Sequence, residues 1–163
     1  MDAIELLTRQ HKEVDDLFEE FEKAIEKGDA SAMDLFARIA DNLAAHATIE
    51  EKILYPNVYV GPTADKLQEA VEEHLSAKRV IADLLDMDTS HPQFKAKMKV
   101  LHELIEHHVE EEEEDLFKSV KKLLTKEELA LLGEQLEKMF SELIQTKPRL
   151  QVPGEIDEAA PLA

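Results

Sequence analysis

The chain repeats itself at an offset of about 62 residues, and the repeat is built from histidine and glutamate. His11 returns as His74, at an offset of 63; His46 returns as His108 and Glu50 as Glu112, both at 62. The surroundings repeat as well, with Tyr55 matching Phe117 and Val58 matching Val120. Such a chain folds as two similar halves, each contributing one His and then a His-x3-Glu. The halves must be helical, because 4 Gly and 6 Pro among 163 residues are too few for an all-β domain with a break every ten residues or so. Leu, Ala, Glu and Lys, the strong helix formers, dominate the rest.

Start and stop signals divide the chain into helices. Asp2 with Glu5 caps a first helix from about Ala3 to Lys27, ended by Gly28. Ser31 opens a second helix, Ala32 to Tyr55, which stops before Pro56. The stretch Pro56–Pro62 is a connector. A third helix follows Thr63, from Ala64 to Asp86. Ser90 and Gln93 form a capping pair, with Pro92 in the first turn, for a fourth that ends near Leu124. Thr125 and Glu128 open a fifth, about Lys126 to Gln145. Residues 147–163 hold three prolines and no apolar period, and are expected as an extended tail with few packing contacts of its own. The expected fold is therefore all-α: an up-down-up-down four-helix bundle over 1–124, an additional helix over 125–146 that serves as a lid or a dimer contact, and the tail over 147–163.

Helical periodicity places the histidines. His46 and Glu50 lie within the stripe Leu35, Phe36, Ile39, Leu43, Ile53, Leu54; His108 and Glu112 lie within Phe94, Met98, Leu101, Ile105, Leu116. His11 sits among Ile4, Leu7, Val14 and Phe18, and His74 among Leu67, Ala70, Ala77 and Ile81. Four helices each point one His at the core, and two add a Glu one turn later. A buried carboxylate costs several kcal/mol unless something pairs with it, and the stripes offer no Lys or Arg beyond Lys78 at an edge. A metal ion answers this, since neutral imidazoles and carboxylates are its ligands. Four His and two Glu about a pseudo-twofold axis suit a dinuclear site bridged by Glu50 and Glu112.

Other titratable residues read more plainly. His107 falls about 100° from the ligand stripe and is solvated or an outer hydrogen-bond partner. His102 lies at the stripe's edge, as a packing residue or an outer partner, and His91 belongs to a loop. Of the run Glu110–Asp115 only Glu112 is expected to point inward; the others form a solvated face whose negative potential attracts cations. Lys78 and Asp15 occupy matching positions of the repeat, either flanking the site as a pair or standing as edge residues. Tyr55 and Tyr59 are read as packing or surface residues.

Together, Gln10-His11, His46-x3-Glu50 before Leu-Tyr-Pro, Glu73-His74 and His108-x3-Glu112 before Leu-Phe resemble the hemerythrin family, in its bacterial and archaeal HHE cation-binding branch, over residues 3–124. The resemblance implies a four-helix bundle around a non-haem di-iron centre, two iron ions with an oxo or hydroxo bridge, ligated by His11, His46, Glu50, His74, His108 and Glu112. Zinc can occupy the same donors. The chain departs from the oxygen-carrying members at two points. Lys78 stands where they have a second helix-three His, and His108-x3-Glu112 replaces their His-x4-Asp, with Glu113 at the longer spacing. Losing an imidazole leaves one iron open to an exogenous ligand.

Charge and composition narrow the partners. The formal charge of −18 repels phosphate backbones and anionic lipid, which argues against nucleic-acid and membrane partners. Zero Cys excludes thiolate metal sites, iron–sulfur clusters and disulfides. No apolar run approaches the ~20 residues of a membrane span, and the start lacks a signal-peptide pattern, so a cytoplasmic monomer or homodimer is expected. Three functions fit: binding dioxygen or another small ligand for storage or sensing; redox catalysis on peroxide or nitric oxide; and iron handling. A ferritin-like oxidase does not fit, because that fold uses Glu-x-x-His.

Overall fold

The computed structural model describes residues 1–162. Helix α1 spans Ala3–Glu26. Helix α2 covers 31–57 in three pieces: α-helical Ser31–Ile49, a π-helical segment Glu50–Leu54, and a closing turn Tyr55–Asn57. Helix α3 is Ala64–Leu85. Helix α4 covers 94–123 with the same build: Phe94–Glu111, a π segment Glu112–Leu116, then Phe117–Leu123. Helix α5, Lys126–Ile144, and 3-10 turns over Pro148–Glu155 complete the chain. No strand occurs among the described residues.

Two of the expected caps form as full capping boxes. The Asp2 carboxylate accepts from the Glu5 N–H at 2.9 Å, and Glu5 reciprocates at 3.0 Å. Thr125 and Glu128 do the same at 3.1 and 2.7 Å. Elsewhere the boundaries shift. Helix α2 continues past Pro56, which directly follows the π segment: the Tyr55 N–H already bonds five residues back to the Glu50 carbonyl, so the ladder has left the four-residue register that a proline interrupts. Helix α4 begins at Phe94, not Ser90: the Ser90 N–H donates to Asp88 and the Gln93 N–H to His91 Nδ1, a turn rather than a capping box.

The two π segments have a common cause. Residues 46, 50, 54 and 58 are all buried, as are 108, 112, 116 and 120. A regular 3.6-residue helix drifts about 40° at every four-residue step, so three such steps would fan the stripe over about 120°. A π turn holds more residues per turn and cancels that drift. Each π segment starts on the Glu of the His-x3-Glu motif.

The core divides into two apolar clusters. One joins Ile4 and Leu7 of α1, Leu54 and Tyr55 of α2, Leu67 and Val71 of α3, and Leu116 and Val120 of α4. The other joins Phe18 and Phe21, Phe36 and Ile39, Ile81 and Leu84, and Phe94 and Met98. Each cluster draws alternately on helix starts and helix ends, as an up-down-up-down bundle requires. The four histidines lie between the clusters. Leu129, Leu132 and Leu136 of α5 close the first cluster, so α5 is a lid on that end of the bundle.

The segment after Lys147 differs from the extended tail with few contacts. It forms no long helix, yet it packs along α2 and α3. Val152 is fully buried in the second cluster, Arg149 is paired with Asp41 at 2.7 Å, and the Arg79 guanidinium donates to the carbonyl of Ile156. Single anchors, not a periodic stripe, hold it, and so hydropathy patterning passes over it.

Helix α5 reaches the start of α1 through Gly133, where a Cβ would stand 2.4 Å from the Met1 carbonyl oxygen and 2.8 Å from the Asp2 carbonyl carbon. Gly133→Val is expected to lower stability by about 1–3 kcal/mol through overpacking. Thermal unfolding checks this; an unchanged midpoint would show that the α1–α5 contact yields freely.

Candidate metal centre

Six side chains from the four bundle helices meet in the polar layer between the two clusters. The Nε2 atoms of His11 and His46 lie 3.2 Å apart, and those of His74 and His108 lie 3.1 Å apart. Glu50 stands between the pairs: its Oε1 is 3.3 Å from His46 Nε2 and 3.2 Å from His74 Nε2. Glu112 also spans them, with Oε1 3.1 Å from His11 Nε2 and Oε2 3.4 Å from His108 Nε2. The donor atoms fall into two groups, His11, His46, Glu50 and Glu112, and Glu50, His74 and His108, within 4.8 Å of one another in each group. All six residues named from the sequence are thus brought together and buried.

The carboxylates are where this arrangement asks for a cation. Glu50 is 0% exposed and Glu112 2%. Even so, both oxygens of Glu50 and Oε1 of Glu112 have no hydrogen bond. Several imidazole nitrogens are near enough but wrongly directed. Carboxylate oxygens without a hydrogen bond at this depth are expensive, and four imidazole nitrogens converge on the same space. The donor set, nitrogen and oxygen without sulfur, fits divalent and trivalent first-row metals.

A ring of outer contacts orients the imidazoles through Nδ1. His11 bonds Glu113 at 2.7 Å, and His74 bonds Glu51 at 2.8 Å. His46 bonds Gln10 at 2.7 Å, and His108 bonds Glu73 at 2.8 Å. The pattern obeys the repeat, and it directs Nε2 of every ring inward, as metal-ligating histidines require. Sequence reasoning missed these four roles and placed Glu113 on the solvated face. The available signal is adjacency: each partner is next to a Glu or His of the centre. The π segments, widening the helix at Glu50 and Glu112, let the neighbouring Glu51 and Glu113 also reach inward.

Aromatic rings repeat the symmetry and then break it. Tyr55 stacks on His74 and its counterpart Phe117 stacks on His11, with centroids 5.7 and 6.0 Å apart. The Tyr55 hydroxyl donates to Glu112 Oε2 at 2.6 Å, so Tyr55 is more than a packing residue, whereas Phe117 has nothing to offer Glu50. Burial and the nearby charges of Glu112 and Glu50 push the Tyr55 phenol well above its usual value and keep it a donor.

The remaining candidates separate from the centre. Lys78 and Asp15 do not pair. The Lys78 ammonium donates to Glu51 at 3.2 Å, and Asp15 accepts from His102 at 2.9 Å. His102 stacks on Phe18, and His107 is exposed beside Glu73 and Glu111. Tyr59 accepts from the Gln68 amide at the surface. A cavity of about 40 Å³ abuts the four imidazoles, walled by Val14, Leu43, Ala44, Ile81, Ile105 and Val109. A single water needs about 10–15 Å³, so it admits a ligand of two or three heavy atoms.

These features define a helical bundle built to bind metal ions in its core. The sequence model of the hemerythrin HHE cation-binding domain matches residues 2–120, and the chain belongs to that family. The crystal structure of a hemerythrin HHE cation-binding domain-containing protein from Mycobacterium kansasii has the same fold, with TM-score 0.78 and 23% identity over 90% of this chain and 89% of that one. A curated relative from Nostoc sp. (strain PCC 7120), named a DNA nickase, is 27% identical over 151 residues. That match takes in 93% of this chain but 40% of the relative, so the chain spans well under half of the relative's length.

Without metal, protons serve the carboxylates. Burial disfavours a charged His11, but Glu112 and Glu113 outweigh it and raise the imidazole to about 9. His108 is pushed well above its usual value by the same contest, with Glu112 dominant, and His74 is raised by Glu50 and Glu51. Burial opposes ionisation of Glu50, yet His46, His108 and His74 hold it well below the carboxylate range. A raised His contributes stability that is complete below its unfolded value of about 6.5 and is lost as pH climbs through the folded one. The metal-free protein should therefore lose thermal stability from pH 6.5 toward 9, whereas the metal-loaded protein, with ions replacing those protons, should not. Unfolding curves of chelated and loaded protein test this; parallel pH profiles would contradict it.

Proposed function

We propose that the protein is a non-haem di-iron protein that binds dioxygen or a related small ligand, for storage or sensing. His11 and His46 would hold one ion, His74 and His108 the other, with Glu50 and Glu112 between them. When bound, the iron pair supplies reversible electron transfer to a small ligand. The chain's own residues supply the rest. Gln10, Glu51, Glu73 and Glu113 fix the ring orientations, Tyr55 holds Glu112 Oε2, and the cavity presents a mainly apolar wall to the ligand. That cavity, placed against the four rings and sized for two or three atoms, is the observation that carries the reading.

One observation favours a second reading, redox turnover of peroxide or nitric oxide. Lys78, which stands where the oxygen-carrying members have a further imidazole, turns to Glu51, so the His74/His108 position keeps only two imidazoles, and a coordination place left to substrate would suit turnover. A net charge of −18 repels a phosphate backbone and weighs against action on DNA.

Anaerobic loading with ferrous iron, a metal count and an absorption spectrum on adding oxygen separate these readings. Two irons and a band that reverses under vacuum support the carrier or sensor. Irreversible oxidation with peroxide then consumed supports the enzyme. His46→Ala and His108→Ala should each abolish stoichiometric iron; either variant still holding two irons with an unchanged spectrum would refute the ligand assignment.

A further inference from the structure

The two halves of the centre match in their ligands but not in the charges behind them. In the first half, His11 leans on the carboxylate of Glu113 and His46 on the neutral amide of Gln10. In the second, His74 and His108 both lean on carboxylates, Glu51 and Glu73. The second half therefore has one extra negative charge. It also has Lys78, a buried ammonium 3.2 and 3.4 Å from the two oxygens of Glu51. Among the described residues the first half has no such cation. Asp15, at the matching position, is engaged with His102 outside the core.

We infer that Lys78 balances Glu73, giving the two metal positions equal outer charge and matched affinity for a divalent cation. Gln10 with Glu113 totals one negative charge, and so does Glu73 with Glu51 and Lys78. Glu73 and Glu113 are themselves partly exposed, at 21% and 36%, and the other charges near these groups are more exposed still. Glu155 lies 3.6 Å from Lys78 and is 44% exposed, while His107 and Glu111, beside Glu73, are 64% and 45% exposed. Solvent and salt screen them far more than the buried Lys78–Glu51 pair. An anion on Nδ1 strengthens the metal bond at Nε2, and losing such a partner commonly costs about 10–100-fold in metal affinity; Lys78 acts one contact further out, through Glu51. Without Lys78 the His74/His108 position would bind the more tightly of the two. The inference rests on the dinuclear reading above.

The test is a titration of the metal-free full chain with Co²⁺, which needs no oxygen chemistry. The wild type should take up two cations whose stepwise constants differ only by the statistical factor and by the repulsion between ions that share Glu50 and Glu112. Lys78→Met should widen that gap by making the first constant severalfold tighter. Glu73→Gln should widen it by making the second constant severalfold weaker, and the double variant should restore the wild-type spacing. The sign separates charge from architecture, because losing a merely structural lysine would loosen binding. Lys78→Gln repeats the test with a neutral side chain able to hydrogen-bond Glu51, should the apolar variant fail to fold. Weaker or unchanged constants in lysine variants that still take two cations overturn this inference alone. Uptake of fewer than two by the wild type overturns the dinuclear reading and this inference with it.

Discussion

Glu50 and Glu112 lie at the centre of the bundle with three carboxylate oxygens that no hydrogen bond reaches, and much of the architecture answers to that. Removing an ionised carboxylate from water is costly enough that a fold keeps one only where a cation or a set of donors compensates. Here the compensation comes from one imidazole on each of four helices. The polar layer they form splits the core into two apolar clusters, one toward each end of the bundle. The clusters fix the helices, the helices fix the rings, and the rings face the carboxylates.

The near-twofold relation between the halves explains how a small bundle builds such a layer. Each half contributes the same His, His-x3-Glu, π segment, stacked aromatic ring and adjacent outer partner. Departures from the symmetry are few, and they lie around the two pairs of imidazoles. Tyr55 has a hydroxyl that Phe117 lacks, Glu73 a charge that Gln10 lacks, and Lys78 replaces Asp15. The tail over 148–155 adds to the asymmetry by packing along α2 and α3 and bringing Glu155 near Lys78.

Much of this is legible in the sequence because the signals are periodic. Apolar spacing, caps at Asp2 and Thr125 and the offset of 62 point to the bundle and to the six inward residues. The π segments are not legible there: the four-residue spacing of His46, Glu50, Leu54 and Val58 spreads over about 120° on a regular helix, no wider than the face α1 buries, so the spacing does not by itself require a π turn. Glu51 and Glu113 escape a helical-wheel argument because the π turn rotates them inward. The partners of Lys78 and Asp15 depend on side chains from other helices, which the spacing along one helix cannot specify. Val152 and Arg149 anchor the tail as isolated contacts without any period.

Anomalous scattering at the iron edge from crystals of iron-loaded protein tests the central claim most directly. The account predicts two peaks within the polar layer, one beside His11 and His46 and one beside His74 and His108, with Glu50 and Glu112 contacting both. A layer without iron, or iron confined to the surface groups around His102 or His107, would contradict it.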